Sequence, residues 1–163
     1  MILFLLIALQ AAPATPPGEE PVAPYVEADA NAGAKPFAGD AMWRAFHGQA
    51  GVDRIVEDMV ARNVADARIS DIFKGQDLVR LRRTLKEQFC YILGGGCHYS
   101  GRTMRAAHQD MGVQQADMAA LVENLQAAMR REGVPFAAQN RLLAKLAPMH
   151  RDVVKIRGPR PAQ

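Results

Sequence analysis

Leu78, Leu81, Leu85, Phe89 and Ile92 follow one another at steps of three or four residues, so a helix over this stretch carries all five on one face. Stripes with the same spacing recur at Val52, Ile55, Val56, Met59 and Val60, at Met118, Leu121, Val122, Leu125 and Met129, and at Leu142, Leu143, Leu146 and Met149. Met42, Trp43 and Phe46 mark a shorter first helix. No segment alternates with period two, so no strand is expected and the fold class is all-α. An amphipathic helix must bury its stripe against another element, and 163 residues at 49% hydrophobic content suit one compact domain of packed helices. Gly94 stands where the Leu78 stripe needs a C-terminal cap, Gly133 closes the Met118 stripe, and Pro135 suits the first turn of the last helix.

Composition removes several function classes. Charged residues make up 23% and the formal net charge is +3, with arginines interspersed among acids in "RIVEDMVAR" and "LRRTLKEQ". That pattern gives no nucleic-acid footprint. Two cysteines, Cys90 and Cys97, are too few for a disulfide scaffold and do not make a zinc pattern. Cys90 falls beside Phe89 on a packed helix, so both are expected as free thiols.

The ends read differently from the body. "MILFLLIAL" is too short to span a bilayer and is followed by small residues around Ala12 and Ala14. It reads as a signal peptide over residues 1–14, although no basic residue precedes it, and this points to an exported or periplasmic protein without stable membrane insertion after cleavage. A cytoplasmic or membrane-anchored protein is the alternative. Residues 15–36 are rich in proline and alanine and read as a disordered linker, with order beginning near Pro36. The domain then covers 37–157, followed by a disordered tail over 158–163.

The chemistry concentrates in "LGGGCHYSGRTMRAAHQDMGV", residues 93 to 113. Three successive glycines cost backbone entropy and imply a path that other residues cannot follow. Of the four histidines, His108 alone shares an apolar face, one turn after Met104. By itself such a histidine is more often a hydrogen-bonded core residue than a metal ligand. No serine, cysteine or carboxylate stands at a local spacing that makes a nucleophile–base pair.

This stretch resembles the signature of the group I truncated haemoglobins: Leu-Gly-Gly, a few residues, Tyr-x-Gly, Met, Ala-His and Gly-Val. The likeness extends upstream through "GVDRIVEDMVARNVADARISDIFKG" and downstream through "GVP". The resemblance implies a two-over-two helical sandwich around haem b, with His108 as the iron ligand through Nε2 and its other ring nitrogen donating to a carbonyl one turn earlier. It implies that the glycines let a loop fold over the haem edge, that Met104 touches the proximal face and that Phe73 stacks on the macrocycle. Leu81, Thr84, Leu85, Phe89, Tyr99, Val113 and Leu121 complete the implied cofactor contacts, and Arg105, Arg102 and Arg83 are the candidates for the propionates.

The distal side departs from the family pattern. Members often carry a tyrosine and glutamines that donate to the gas ligand, and here Val60, Leu81 and Leu85 stand at those positions. A donor to a charged acceptor contributes about 1.5–3 kcal/mol, so its loss weakens oxygen retention by roughly one to two orders of magnitude. The sequence leaves open a soft sixth ligand such as Met59, and whether Gln88 reaches the ligand. The resulting expectation is a protein that reversibly binds oxygen, carbon monoxide or nitric oxide, and it admits a reductase partner. The alternatives are a haem enzyme consuming nitric oxide or peroxide, and a cofactor-free helical interaction domain.

Overall fold

The computed structural model describes residues 15–154. The expected signal segment 1–14 and the tail 158–163 lie outside them. A 3-10 turn at Asp29–Ala32 precedes α1 (Ala41–Ala45), α2 (Gly48–Ala65), α3 (Ser70–Phe73), α4 (Leu78–Leu93), α5 (Met104–Ala107), α6 (Gln115–Arg131), α7 (Phe136–Leu146), a 3-10 turn at Ala147–Met149 and α8 (His150–Val153). There is no strand among the described residues.

Local chemistry sets the helix ends. The Asp77 carboxylate accepts from the backbone N–H of Arg80 at the start of α4, and Thr103 accepts from Ala106 at the start of α5. A reciprocal pair of bonds between Gln114 and Asp117 opens α6. Pro135 sits just ahead of α7 rather than in its first turn.

The stripes meet in one core. Val52, Ile55, Val56, Met59 and Val60 of α2 pack with Phe89, Ile92 and Leu93 of α4, Leu125, Ala128 and Met129 of α6, and Leu142 of α7. Each side chain of this size contributes about 1.5–3 kcal/mol on burial. Helix α2 touches both α4 and α6, and α6 touches α7, so the four long helices close on one shared core. Among the described residues no helix is long and apolar enough to cross a membrane.

Two expectations are corrected. Residues 15–36 do not behave as a loose linker. They lie against α4 and the loop that follows it, and Ala32 is fully buried. Polar bonds to distant residues order this stretch, which composition and apolar periodicity do not reveal. The second correction concerns the cysteines, which form a Cys90–Cys97 disulfide rather than free thiols. Gly94 ends α4 with φ 86°, where a side chain is strained, and a Cβ there would come within 2.7 Å of the Gly39 carbonyl oxygen. A Cβ at Gly95 would lie 2.7 Å from Cys90 Sγ. The glycines therefore let the chain reverse tightly against α4 and return Cys97 to within 5.7 Å of Cys90 between Cα atoms.

Candidate functional site

The short helix α5 ends at Ala107, and His108 is its C-terminal cap residue. The backbone then turns through Asp110 at φ 65°, beyond the end of the helix. His108 Nδ1 lies 2.8 Å from the Met104 carbonyl oxygen. A carbonyl only accepts, so Nδ1 carries the proton and the neutral ring presents a bare Nε2 lone pair. No described residue bonds that Nε2. Burial pushes the imidazole below the usual histidine pKa, while the Met104 bond partly opposes the shift. The neutral, ligating form is thus the stable one.

Met104 joins two apolar groups. It packs against the main core, as do Leu81 and Leu85, and also against a smaller cluster of Val113, Val153 and Val154 with Ile72, Met111 and Met118. Leu81 and Leu85 are half-buried, Phe89 is buried in the core, and Val60 is 0% exposed. His108 is thus bonded to Met104, which packs with Val113, while Leu81, Leu85 and Phe89 stand together on α4. Phe73 is half-buried at the end of α3, and Leu121 is half-buried on α6. Met59 is buried in the core.

The polar residues singled out from the sequence are engaged elsewhere. The Thr84 hydroxyl donates back to the Arg80 carbonyl at 2.9 Å. Tyr99 is buried, donates its hydroxyl to the Arg102 carbonyl at 3.1 Å, and has its phenol pKa pushed up to about 12 by burial. Arg105 is exposed and pairs with Asp152 at 2.8 Å. Arg83 pairs with Glu19 and Glu87, and Arg102 lies 5.3 Å from the Tyr25 ring centre.

Two residues of this region carry more weight than the sequence reading assigned them. Gln88 is 6% exposed; its Nε2 donates to the Ala32 carbonyl at 2.8 Å and lies 3.4 Å from Met104 Sδ. Met149 Sδ stands 3.9 Å from the same nitrogen. Gln88 was legible as a polar residue seven positions after Leu81 on an otherwise apolar face. Met149 had no comparable signal, because methionine on a helix stripe is ordinary packing.

A partly desolvated neutral imidazole with one free lone pair can ligate a metal carried by an apolar macrocycle. No group of three or more His, Cys, Asp or Glu poised for a metal ion exists among the described residues.

Comparison with known proteins bears on what that macrocycle is. The bacterial-like globin family profile matches residues 41–155. The chain is 29% identical over 102 residues to the group 1 truncated hemoglobin GlbN of Mycolicibacterium paratuberculosis, covering 63% of this chain and 75% of that protein. The Fe(III) truncated hemoglobin of Tetrahymena pyriformis superposes with a TM-score of 0.66 at 26% identity, over 69% of this chain and 97% of the other. The 2/2 hemoglobin of Synechococcus, solved in the cyanomet state with covalently attached heme, gives 0.65 at 27% identity over 69% and 97%. The chain belongs to the bacterial-like globin family, and within it to the group I truncated haemoglobins, a membership that implies a haem cofactor and gas binding.

Proposed function

We propose that this protein holds haem b through His108 Nε2 and reversibly binds a diatomic gas against an apolar distal wall. The observation that carries the reading is the His108 Nδ1 to Met104 carbonyl bond, which fixes the tautomer and leaves Nε2 bare. The residues present fit the group: Leu81, Leu85 and Phe89 offer an apolar distal face, Met104 and Val113 a proximal one. When bound, haem supplies an iron with an open position for oxygen, carbon monoxide or nitric oxide.

The distal residues determine which gas is favoured. Val60, Leu81 and Leu85 carry no donor, the Thr84 hydroxyl is committed to its own helix, and the Gln88 amide is committed to Ala32. The wall offers contact and little polarity, which favours carbon monoxide and nitric oxide relative to oxygen. It also offers no proton donor at the aligned positions, which supports a binding role over turnover of peroxide or nitric oxide.

Titration of the full chain with haemin tests the reading. A stoichiometric shift of the absorption maximum, followed by a further shift under carbon monoxide after reduction, is the expected result. A spectrum of free haemin throughout would overturn it.

We also propose that the protein matures outside the reducing cytoplasm. The Cys90–Cys97 disulfide supports this, because such bonds persist in oxidising compartments. Mass spectrometry of protein from cell fractions tests it. An intact N-terminus on soluble cytoplasmic protein with two free thiols would refute export.

A further inference from the structure

The bacterial-like globin match begins at residue 41, yet the chain ahead of it is bonded along α4 from its first cap to its last turn. At the start of α4, the Glu20 backbone N–H donates to Asp77 at 2.8 Å. The Glu19 carboxylate, 1% exposed, is held between Arg80 and Arg83, with Arg80 Nε and Arg83 Nη2 each at 3.0 Å. At the end of α4, Phe37 donates its N–H to the Ile92 carbonyl at 2.8 Å. Between these points the segment reaches across to the loop that leads into α5. The Tyr25 hydroxyl donates to the Ser100 carbonyl at 2.7 Å, Asn31 donates to the Gly101 carbonyl at 3.2 Å, and Asp29 accepts from the Tyr99 N–H at 2.8 Å.

Its innermost part touches both sides of the candidate site. Ala32 is fully buried and its carbonyl takes the Gln88 amide of α4. Gly33 lies so close to α5 and the Ala147–Met149 turn that a Cβ there would sit 3.2 Å from Met104 Cγ and 3.0 Å from Met149 Sδ. A hollow of about 300 Å³ is bounded by Ala30, Asn31 and Gly33 on one side and Thr103, Met104 and Arg105 on the other. One continuous stretch of chain therefore ties the Leu81–Leu85 helix to the helix that ends at His108.

We propose that residues 19–33 form a clamp across the mouth between α4 and α5 that must release before haem enters or leaves. The inference rests on the haem reading of His108. Admitting a rigid macrocycle between α4 and α5 requires the two to part, and the same segment is bonded to α4 at Glu19, Glu20 and Ala32 and held against α5 and its leading loop at Tyr25, Asp29, Asn31 and Gly33. The clamp also reaches the ligand itself, because Gln88 touches Ala32 and Met104, and the Met104 carbonyl holds His108. Clamp closure and haem retention are then linked, so each strengthens the other by the same factor.

The test uses the full-length chain loaded with haemin and an excess of apomyoglobin as acceptor. The double variant Glu19→Ala/Asn31→Ala loosens the clamp at two places, and Glu123→Ala, on the far helix α6, serves as the control. The double variant is expected to surrender haemin about tenfold faster than the parent, the control within about twofold. A second readout follows cleavage at Glu27 by a glutamate-specific protease in the unaltered protein, with and without haemin. Haemin is expected to slow that cleavage severalfold. If haemin binds but leaves cleavage unchanged, or if a folded double variant keeps the parent transfer rate, the clamp is wrong and the haem reading stands. If the parent chain binds no haemin, the haem reading falls and takes the clamp with it.

Discussion

His108 donates its Nδ1 proton to the Met104 carbonyl oxygen across 2.8 Å, one turn earlier in the chain. The bond couples a ring orientation to a helix end, and it leaves the Nε2 lone pair unprotonated.

Replacing His108 with alanine removes that lone pair. The expected outcome is loss of haemin coordination in the absorption spectrum, restored in part by millimolar imidazole (on the order of 10 mM, a typical weak-ligand concentration). A variant spectrum identical to the parent would exclude His108 as the ligand.

Acid should weaken the site. The folded-state pKa of His108 lies below its unfolded value because burial disfavours the charged ring. Its contribution to stability is therefore fully present above about pH 6.5 and is lost as pH falls through the folded value. Melting temperatures of the haem-free protein between pH 8 and pH 5 are expected to fall more steeply for the parent than for His108→Ala, and equal slopes would contradict this.

The distal wall can be made polar one residue at a time. Leu85→Gln is the cleaner change, since Leu85 is half-buried. Oxygen release, measured by stopped-flow displacement with carbon monoxide, is expected to slow about 10- to 100-fold. Val60 is fully buried, so Val60→Tyr should cost about 1–3 kcal/mol of stability by overpacking.

The disulfide closes a short loop, with Cys90 and Cys97 seven positions apart. Chain-entropy reasoning gives about 2–2.5 kcal/mol for a loop of this size, or roughly 5–10 °C in melting temperature. Cys97→Ser should lower the melting temperature by that amount, and dithiol treatment of the parent should reproduce it. Thiol counting on denatured, unreduced protein is expected to find none.

Glu19 sets a second pH dependence. The hydrogen bond from Arg83 holds its carboxyl below the usual glutamate pKa, so its stabilisation is present above about pH 4.5 and is lost as pH falls further. Glu19→Gln keeps the shape and removes the charge. It is expected to cost about 1–2 kcal/mol at pH 7 and to reduce the loss of stability on acidification. An unchanged denaturation midpoint would show that the Arg80 and Arg83 contacts add nothing.

The helices were legible because their cause is local. Apolar residues three and four apart, the glycines at 94 and 133, and the one-turn spacing of Met104 and His108 all express helix geometry within a short window. The apolar character of Val60, Leu81 and Leu85 was equally plain, since it depends only on residue identity. The disulfide and the clamp were not legible, and the reasons differ. Cys90 looked like a core residue, and only the reversal at Gly94 and Gly95 turns the chain back toward its sulfur. The clamp is made of polar bonds between residues 56 to 75 positions apart, such as Gln88 to Ala32 and Tyr25 to Ser100. Such pairs leave no periodic trace in a proline-rich segment. The sequence by itself determined which faces must be buried, because apolar spacing is a local property. Only the tertiary structure decided what residues 15–36 lie against, because a hydrogen bond exists only once folding has brought its two ends together.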